Sequence, residues 1–503
     1  MAELSVRLIA YTAKPFDVAV ASARTCYSPK LVLPDEVTDG QRERIGTSIW
    51  DSGHHTPFQH ATFTFGLENV SRQLVWSFLH SHPYYNSDQN SQRYVALTEV
   101  KAYRPELDGR AAEIYDGAVS AAWNAYADLA SALKERDTPL MSSIGKVKGL
   151  SEKQVAVEAE KKAIEMARYA LPIAAFTSLY HTISGVVLMR YARMAGQCDC
   201  PEEARLVVGK MLEEVSKVDP NFVKYLKVEP LARQDAPPNA SVEAFNAEFD
   251  KSLGGHSSRL VSFDRDGEAI VAGGVREALG KPKAELPDKD AIDLAVNPAK
   301  NRILLDALNT WQNSPVARAL NLVSYTFRKR ISHAADSQDQ RHRTAPAARP
   351  LLSQVHARKP DYITPGVIAG DPDLKEKFDG TMAMLWDAKN ELIGQGVPAE
   401  DAIYLLPNAT ALRFTETGRL IDLMHKWRMR TCFNAQEEIF SVSRDELMQV
   451  STVHPNLARY VGPPCFFRRG LAGAGPKDSP CTEGPRWCGI QVWLNFPDVQ
   501  RPF

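Results

Sequence analysis

The chain has 503 residues, 44% hydrophobic and 24% charged, with a formal net charge of -1 at pH 7. This is the composition of a globular protein with a sizeable core, and the near-neutral balance excludes a generic polyanion-binding surface while leaving room for a local basic pocket. With no run of about 18 apolar residues and no basic segment ahead of an apolar one, a soluble cytoplasmic protein without membrane or nucleic-acid partners is expected.

In chain order, residues 4–11 alternate like a short strand and residues 17–26 have helical apolar spacing. Residues 62–65 alternate again. Residues 155–170 form a charged amphipathic helix with Val157, Ala163, Ile164 and Ala167 on its apolar side, and 176–193, mostly apolar, reads as a buried helix. Residues 201–215 start another helix, with Pro201 in its first turn and acids after it. The Pro-, Ala- and Asn-containing stretch at 234–255 reads as a linker. The second half repeats the plan with a strand at 257–263, a basic helix around Arg328, and segments at 402–406, 414–430 and 436–450. The fold class is α+β, with the sheet order unreadable.

Internal similarity supports a duplication. Residues 87–95 (SDQNSQRYV) read as a worn copy of residues 335–343 (ADSQDQRHR). Residues 4–11 resemble 257–263, residues 170–172 resemble 405–407, and residues 218–225 resemble 453–460, in the same order. Such repeats point to two homologous domains in tandem. The boundaries expected are 1–235 and 256–462 for the domains, 236–255 for the linker, and 463–503 for a Cys-, Gly- and Pro-rich extension without counterpart in the first half.

Four of the seven cysteines, Cys432, Cys465, Cys481 and Cys488, fall in the last quarter of the chain. Thiolates favour zinc, which usually takes four ligands, and a tail with little core of its own gains from such a clip, so a structural zinc is expected there. The alternative is buried thiols, with His454 an outside ligand.

The stretch from Gly53 to His60, followed by Phe63-Thr64-Phe65 and Val70-Ser71-Arg72, resembles the flavin-dependent thymidylate synthase family, which has Gly-His-x-Ser/Thr-Pro-Phe-Glu-His before a strand; Gln59 replaces the usual Glu. Asn86, Ser91, Arg93 and Tyr94 fit the end of the family's Arg-His-Arg-x-x-Ser-x-Asn-Glu-x-Ser-x-Arg-Tyr signature, whereas Leu79-His80-Ser81 stands where Arg-His-Arg belongs. Arg168, before Leu171-Pro172, fits a nucleotide-contacting Arg, while Ser184, Val186, Arg190 and Ala195 replace the family's later polar residues. The second half lacks the Pro-Phe-Glu-His stretch and has Ile403 in place of Arg168. Yet Arg328-Lys329-Arg330 fits the missing tripeptide, Asp336, Gln340 and Arg341 continue the signature, and residues 420–439 carry His425, Arg430, Gln436 and Glu438 at positions of the final motif. The halves have decayed in a complementary way.

The resemblance implies reductive methylation of dUMP to dTMP, with FAD as cofactor and NADPH and methylenetetrahydrofolate as cosubstrates, at composite sites built from both halves. It implies a homodimer of this chain in place of the family's tetramer. Arg430 is the expected catalytic residue, polarising the uracil ring. His54, Thr56, Arg328, Lys329, Arg330, Asp336 and His425 are the expected cofactor-binding residues, and Ser91, Arg93, Arg168, Arg341 and Gln436 the expected substrate-binding ones. Planar guanidiniums bind phosphate oxygens bidentately, but a basic helix is otherwise a solvated face and a lone histidine is more often structural. Modification of a different pyrimidine nucleotide and nucleotide binding without turnover are the alternatives.

Overall fold

The computed structural model describes residues 3–231, 241–306, 308–471 and 480–502. Strands β1 (Ser5–Tyr11), β2 (Thr62–Ser71), β3 (Asn86–Gln89) and β4 (Phe176–Ser184) form one antiparallel sheet in the order β1-β2-β4-β3. Strands β5 (Ser258–Phe263), β6 (Ser324–Ser332), β7 (Ala347–Ala348) and β8 (Ala411–Arg419) form a second in the order β5-β6-β8-β7. The two sheets share one topology.

The strands follow from period-two burial. In β2, Phe63, Phe65 and Leu67 point inward, while Thr64 faces out and its hydroxyl pairs with that of Thr182 at 2.9 Å. Two expectations are corrected here. The run 176–193 is not one helix: β4 buries Thr177, Leu179, His181 and Ile183 alternately, and the helix Gly185–Met194 follows without a break. Likewise the region around Arg328 is strand β6, with Tyr325, Phe327, Lys329 and Ile331 inward and Arg328 and Arg330 on the opposite face.

The remaining helices include Glu152–Ala167 and Pro201–Val218, near their expected places, and the long helices Gly109–Lys148 and Pro372–Gly394, which the sequence reading missed. Within the expected linker, residues 236–240 lie outside the described residues, but Val242–Leu253 is a helix. It covers the outer face of β6: Phe249 lies 4.6 Å under the Arg328 guanidinium, and Asp250 pairs with Arg330 and Arg413. The stretches 87–95 and 335–343 are not structural counterparts, since the first runs along β3 and the second through the helix His333–Asp339.

The halves join around a pseudo-two-fold axis. Ile173 N donates to Leu406 O and Asn408 N to Leu171 O, both at 2.8 Å; Ala174 N donates to Tyr404 O and Ala409 N to Tyr169 O, both at 3.1 Å. Pro172 and Pro407 meet at the centre of this short bridge. One hydrophobic core runs through it, from Phe63 and Trp76 of the first half to Phe378 and Trp386 of the second.

Candidate active site

A cavity of about 730 Å³ opens where the halves meet. Strand β3 and the turn after it supply one wall; Ser91 O accepts from Tyr94 N and Val95 N at 3.1 Å, which turns Arg93 inward. The 3-10 turn Arg168–Ala170 contributes Arg168. From the second half come Ala334, Ser337 and Gln338 of the helix His333–Asp339, whose N-terminus is capped by Ser332, then Arg341 and Arg343 of the turn after it. Asn408 and Arg430, the last residue of the helix Leu420–Arg430, complete the lining.

Six guanidiniums, those of Arg72, Arg93, Arg168, Arg341, Arg343 and Arg430, face this space, and Asp88 is the one carboxylate among the described lining residues. Arg93 is ion-paired with buried Glu165. The other arginines are held by neutral groups. Arg72 donates to Asn90 O at 2.7 Å, Arg341 to Ser87 O at 2.7 Å, and Arg430 to Gln338 O at 2.8 Å and His342 Nε2 at 2.9 Å. Burial and neighbouring cations lower Arg168 and Arg341, Arg430 to about 10 and Arg72 to about 9. All stay charged at neutral pH, so the unfavourable crowding of like charges is relieved by an anion. Arg72 Nε, Arg168 Nη2, Ser87 Oγ, Gln89 Oε1 and Gln92 Nε2 are buried around it without a hydrogen-bond partner among the described residues. Each such atom costs about 1–3 kcal/mol unless a ligand or water meets it.

Four of the five expected substrate residues, Ser91, Arg93, Arg168 and Arg341, and the expected catalytic Arg430 are brought together here. Gln436 sits just behind, capping the helix Glu437–Val453 and donating to Tyr169 Oη. His425 stands behind Arg430, its ring 5.8 Å from that of His342. His54 and Thr56 are exposed in and beside the turn Thr56–Gln59 and do not reach the cavity; Phe58 in that turn packs against Trp50 and Phe222.

Four expected cofactor residues lie away from the cavity lining. Lys329 is wholly buried among Asp339, Glu416 and Glu446, with Lys426 as the second cation. Arg328 and Arg330 face the helix Val242–Leu253. Asp336 is fully buried and held by Arg349 at 2.8 Å and Trp76 Nε1 at 2.7 Å. The missed residues are Arg72, Arg343, His342 and Asn408. The signal was present: Arg341-His342-Arg343 is a literal Arg-His-Arg, obscured by Arg328-Lys329-Arg330, which fits the same tripeptide.

The four cysteines expected to hold zinc come together in the fold. Cys432, Cys465, Cys481 and Cys488 line one small pocket with Phe433 and Trp487, but among the described residues no group of three or more His, Cys, Asp or Glu is arranged to hold a metal ion. Burial instead pushes the Cys432 thiol up to about 12.

The inner part of the cavity's pseudo-symmetric counterpart is filled. Arg72 and His333 each follow a helix-capping serine, Arg168 and Ile403 open equivalent turns, and Arg430 and Ala195 stand at equivalent helix ends. At that second place Trp76 packs between His80 and His333, with ring centroids 4.2 and 5.2 Å away.

A second cavity of about 650 Å³ adjoins the first at Arg343, lined by Leu79, Pro83, Ala345, Pro346 and Ala347 together with His82, Arg349 and Arg419. Its apolar walls and flanking guanidiniums suit a flat ring with a phosphate-bearing tail.

The sequence model of the thymidylate synthase complementing protein family matches residues 7–221 and again residues 259–456. A flavin-dependent thymidylate synthase of Clostridium tetani is 33% identical over 227 residues, 44% of this chain and 86% of its own length. Another, of Geobacter sulfurreducens, is 34% identical over 173 residues, 34% of this chain and 70% of its own. Among solved structures, the UMP/dUMP methylase PolB of Streptomyces cacaoi bound with 5-Br dUMP aligns over 45% of this chain and 95% of its own at 17% identity, with a TM-score of 0.31. Among the described residues, no helix is long and apolar enough to cross a membrane.

Proposed function

Since this chain belongs to the thymidylate synthase complementing protein family, matched over most of both halves, we propose that its arginine-lined cavity binds dUMP and methylates it at C5. The observation that carries this reading is the convergence of six guanidiniums from both halves on one cavity with a single lining carboxylate. The curated relatives are named flavin-dependent thymidylate synthases. The carbon donor we infer is methylenetetrahydrofolate, the reductant NADPH, and the cofactor FAD. Arg341 and Arg343 and the adjoining apolar cavity would hold FAD, which supplies the hydride chemistry when bound.

The chain's own residues supply position and charge. Arg168, Arg72 and Arg93 hold the phosphate, with planar forks that fix its orientation as well as its charge. Arg430 lies at the uracil carbonyl and stabilises the negative charge that builds on the ring as C5 becomes nucleophilic. His342 accepts from Arg430 Nε. Burial and Arg430 itself hold the His342 imidazolium pKa far below its usual value, so His342 stays a neutral acceptor and fixes the guanidinium plane.

With the counterpart place filled by Trp76, each chain carries one such site, and the assembly we infer is a homodimer in the cytoplasm. The experiment is an absorbance spectrum of the purified protein during dUMP titration. Flavin bands that change with dUMP in the wild type, and fail to change in Arg430→Ala, support the reading. A protein that binds no flavin at any concentration contradicts it.

A further inference from the structure

The family match ends at residue 456, yet the chain beyond it returns to Glu165 and Asn434, the partners of the cavity's Arg93. We propose that the C-terminal extension is part of the nucleotide site, with Arg501 a positioning residue that shares Glu165 with Arg93. This inference rests on the nucleotide reading of the cavity.

Two anchors orient Arg93, and the extension touches both. The first is Glu165, whose Oε2 takes Arg93 Nε. Its other oxygen, Oε1, faces Arg501 Nη2 at 3.8 Å and Lys162 Nζ at 3.7 Å, and the side chains of Glu165 and Arg501 are only 3% and 6% exposed. A buried carboxylate with cations on both oxygens has little freedom to rotate, so Oε2 stays turned toward Arg93. The second anchor is Asn434 O, which accepts from Arg93 Nη2 at 2.5 Å. Asn434 in turn donates through Nδ2 to Arg486 O of the extension at 2.8 Å.

The extension is itself firmly seated. Pro497 O accepts from Arg444 Nε at 2.6 Å, and the Arg501 guanidinium lies 5.6 Å from the Phe440 ring centre. Val492, Trp493 and Phe496 are buried in a cluster that includes Ile144 and Val155 of the first half. The tail therefore bridges both halves beside the residue that faces the ligand.

The test is calorimetric titration of dUMP into the full chain, wild type and variant, reading Kd and stoichiometry together. Arg501→Gln is expected to raise Kd roughly three- to tenfold, in the lower part of the range for coupled residues in one ion network, at unchanged stoichiometry, with Arg501→Lys recovering most of the loss. Tight binding by wild type and Arg501→Gln alike overturns the inference and leaves the nucleotide reading intact. A reduced stoichiometry at unchanged Kd also overturns it, because Arg501 then serves only folding. Wild type that binds no dUMP fails the nucleotide reading itself. Should Arg501→Gln not fold, Asn434→Ala carries the same expectation, and an unchanged Kd there is equally contrary.

Discussion

Tyr404 of the second half donates its hydroxyl hydrogen to Glu203 of the first at 2.6 Å, while Glu203 also accepts the backbone N–H and hydroxyl of Ser71 at 2.7 and 2.6 Å. The mirror image is present: Tyr169 donates to Glu438 at 2.5 Å, and Glu438 takes the N–H and hydroxyl of Ser332 at 2.7 and 2.5 Å. Each half thus completes the hydrogen bonding of a buried acid in the other, at the start of a helix that bears the cavity or its filled counterpart.

Tyr404→Phe removes one partner from a buried carboxyl and leaves shape unchanged. The expected loss is about 1–3 kcal/mol, the cost of an unmet buried polar group. Denaturant unfolding measures it, and because Glu203 lies on the far side of the interface the two halves are expected to unfold in one transition. Separate transitions would contradict the shared core.

Arg168→Ile copies into the first half what Ile403 is in the second. It leaves a cavity with fewer cations, and dUMP affinity is expected to fall by about 10- to 150-fold, or about 1.5–3 kcal/mol for a charge-assisted hydrogen bond. Arg430→Ala is expected to act chiefly on turnover, lowering kcat by about 100- to 1,000-fold as for loss of one charge-stabilising donor. Steady-state kinetics with varied dUMP separates the two effects.

Lys329 tests the corrected assignment. Lys329→Met leaves Asp339, Glu416 and Glu446 with Lys426 and, 3.9 Å from Asp339, Arg349, and breaking such a buried network costs about 3–5 kcal/mol. The folded fraction is expected to keep wild-type flavin absorbance per site. Loss of flavin from folded protein would return Lys329 to the cofactor.

Acid stability follows from buried imidazoles. Burial lowers His80, His181 and His333 to about 3 each. Their folded values lie below the unfolded value of about 6.5, so the unfolded state binds more protons between the two. Stability is full above about pH 6.5 and is lost as pH falls toward 3, by up to about 1.4 kcal/mol per pH unit for each group. Melting at pH 7 and pH 5 checks this, and His333→Gln is expected to give a shallower acid limb. A melting temperature that rises on acidification would contradict the assignment.

How much was legible depended on whether local pattern and tertiary role agreed. The helix Pro201–Val218 was visible because Pro201 and its acids mark a start that packing does not override. Strand β6 was not, because its inward series Tyr325, Phe327, Lys329 and Ile331 includes a cation, and Lys329 is buried only through acids distant in sequence. At the cavity, Arg168 and Arg430 could be found by their motifs, each standing opposite an apolar residue in the other half. Arg343 had its signal in Arg341-His342-Arg343, but its crossing to Asn86 Oδ1 of the other half, at 3.2 Å, is visible only in the fold. The complementary losses in the two halves pointed to one degenerate place, but not to how it is occupied: that Trp76 meets Asp336 requires two helices from different halves to be packed side by side.

We propose one arginine-lined dUMP site per chain, made by both halves. Its most direct test is calorimetric titration of dUMP into wild type and into Trp76→Ala, Arg341→Ala and Arg168→Ala. The account predicts one dUMP per chain in wild type and in Trp76→Ala, with binding weakened strongly by either arginine change. Two dUMP per chain, or binding that survives loss of Arg341 and Arg168, would contradict it.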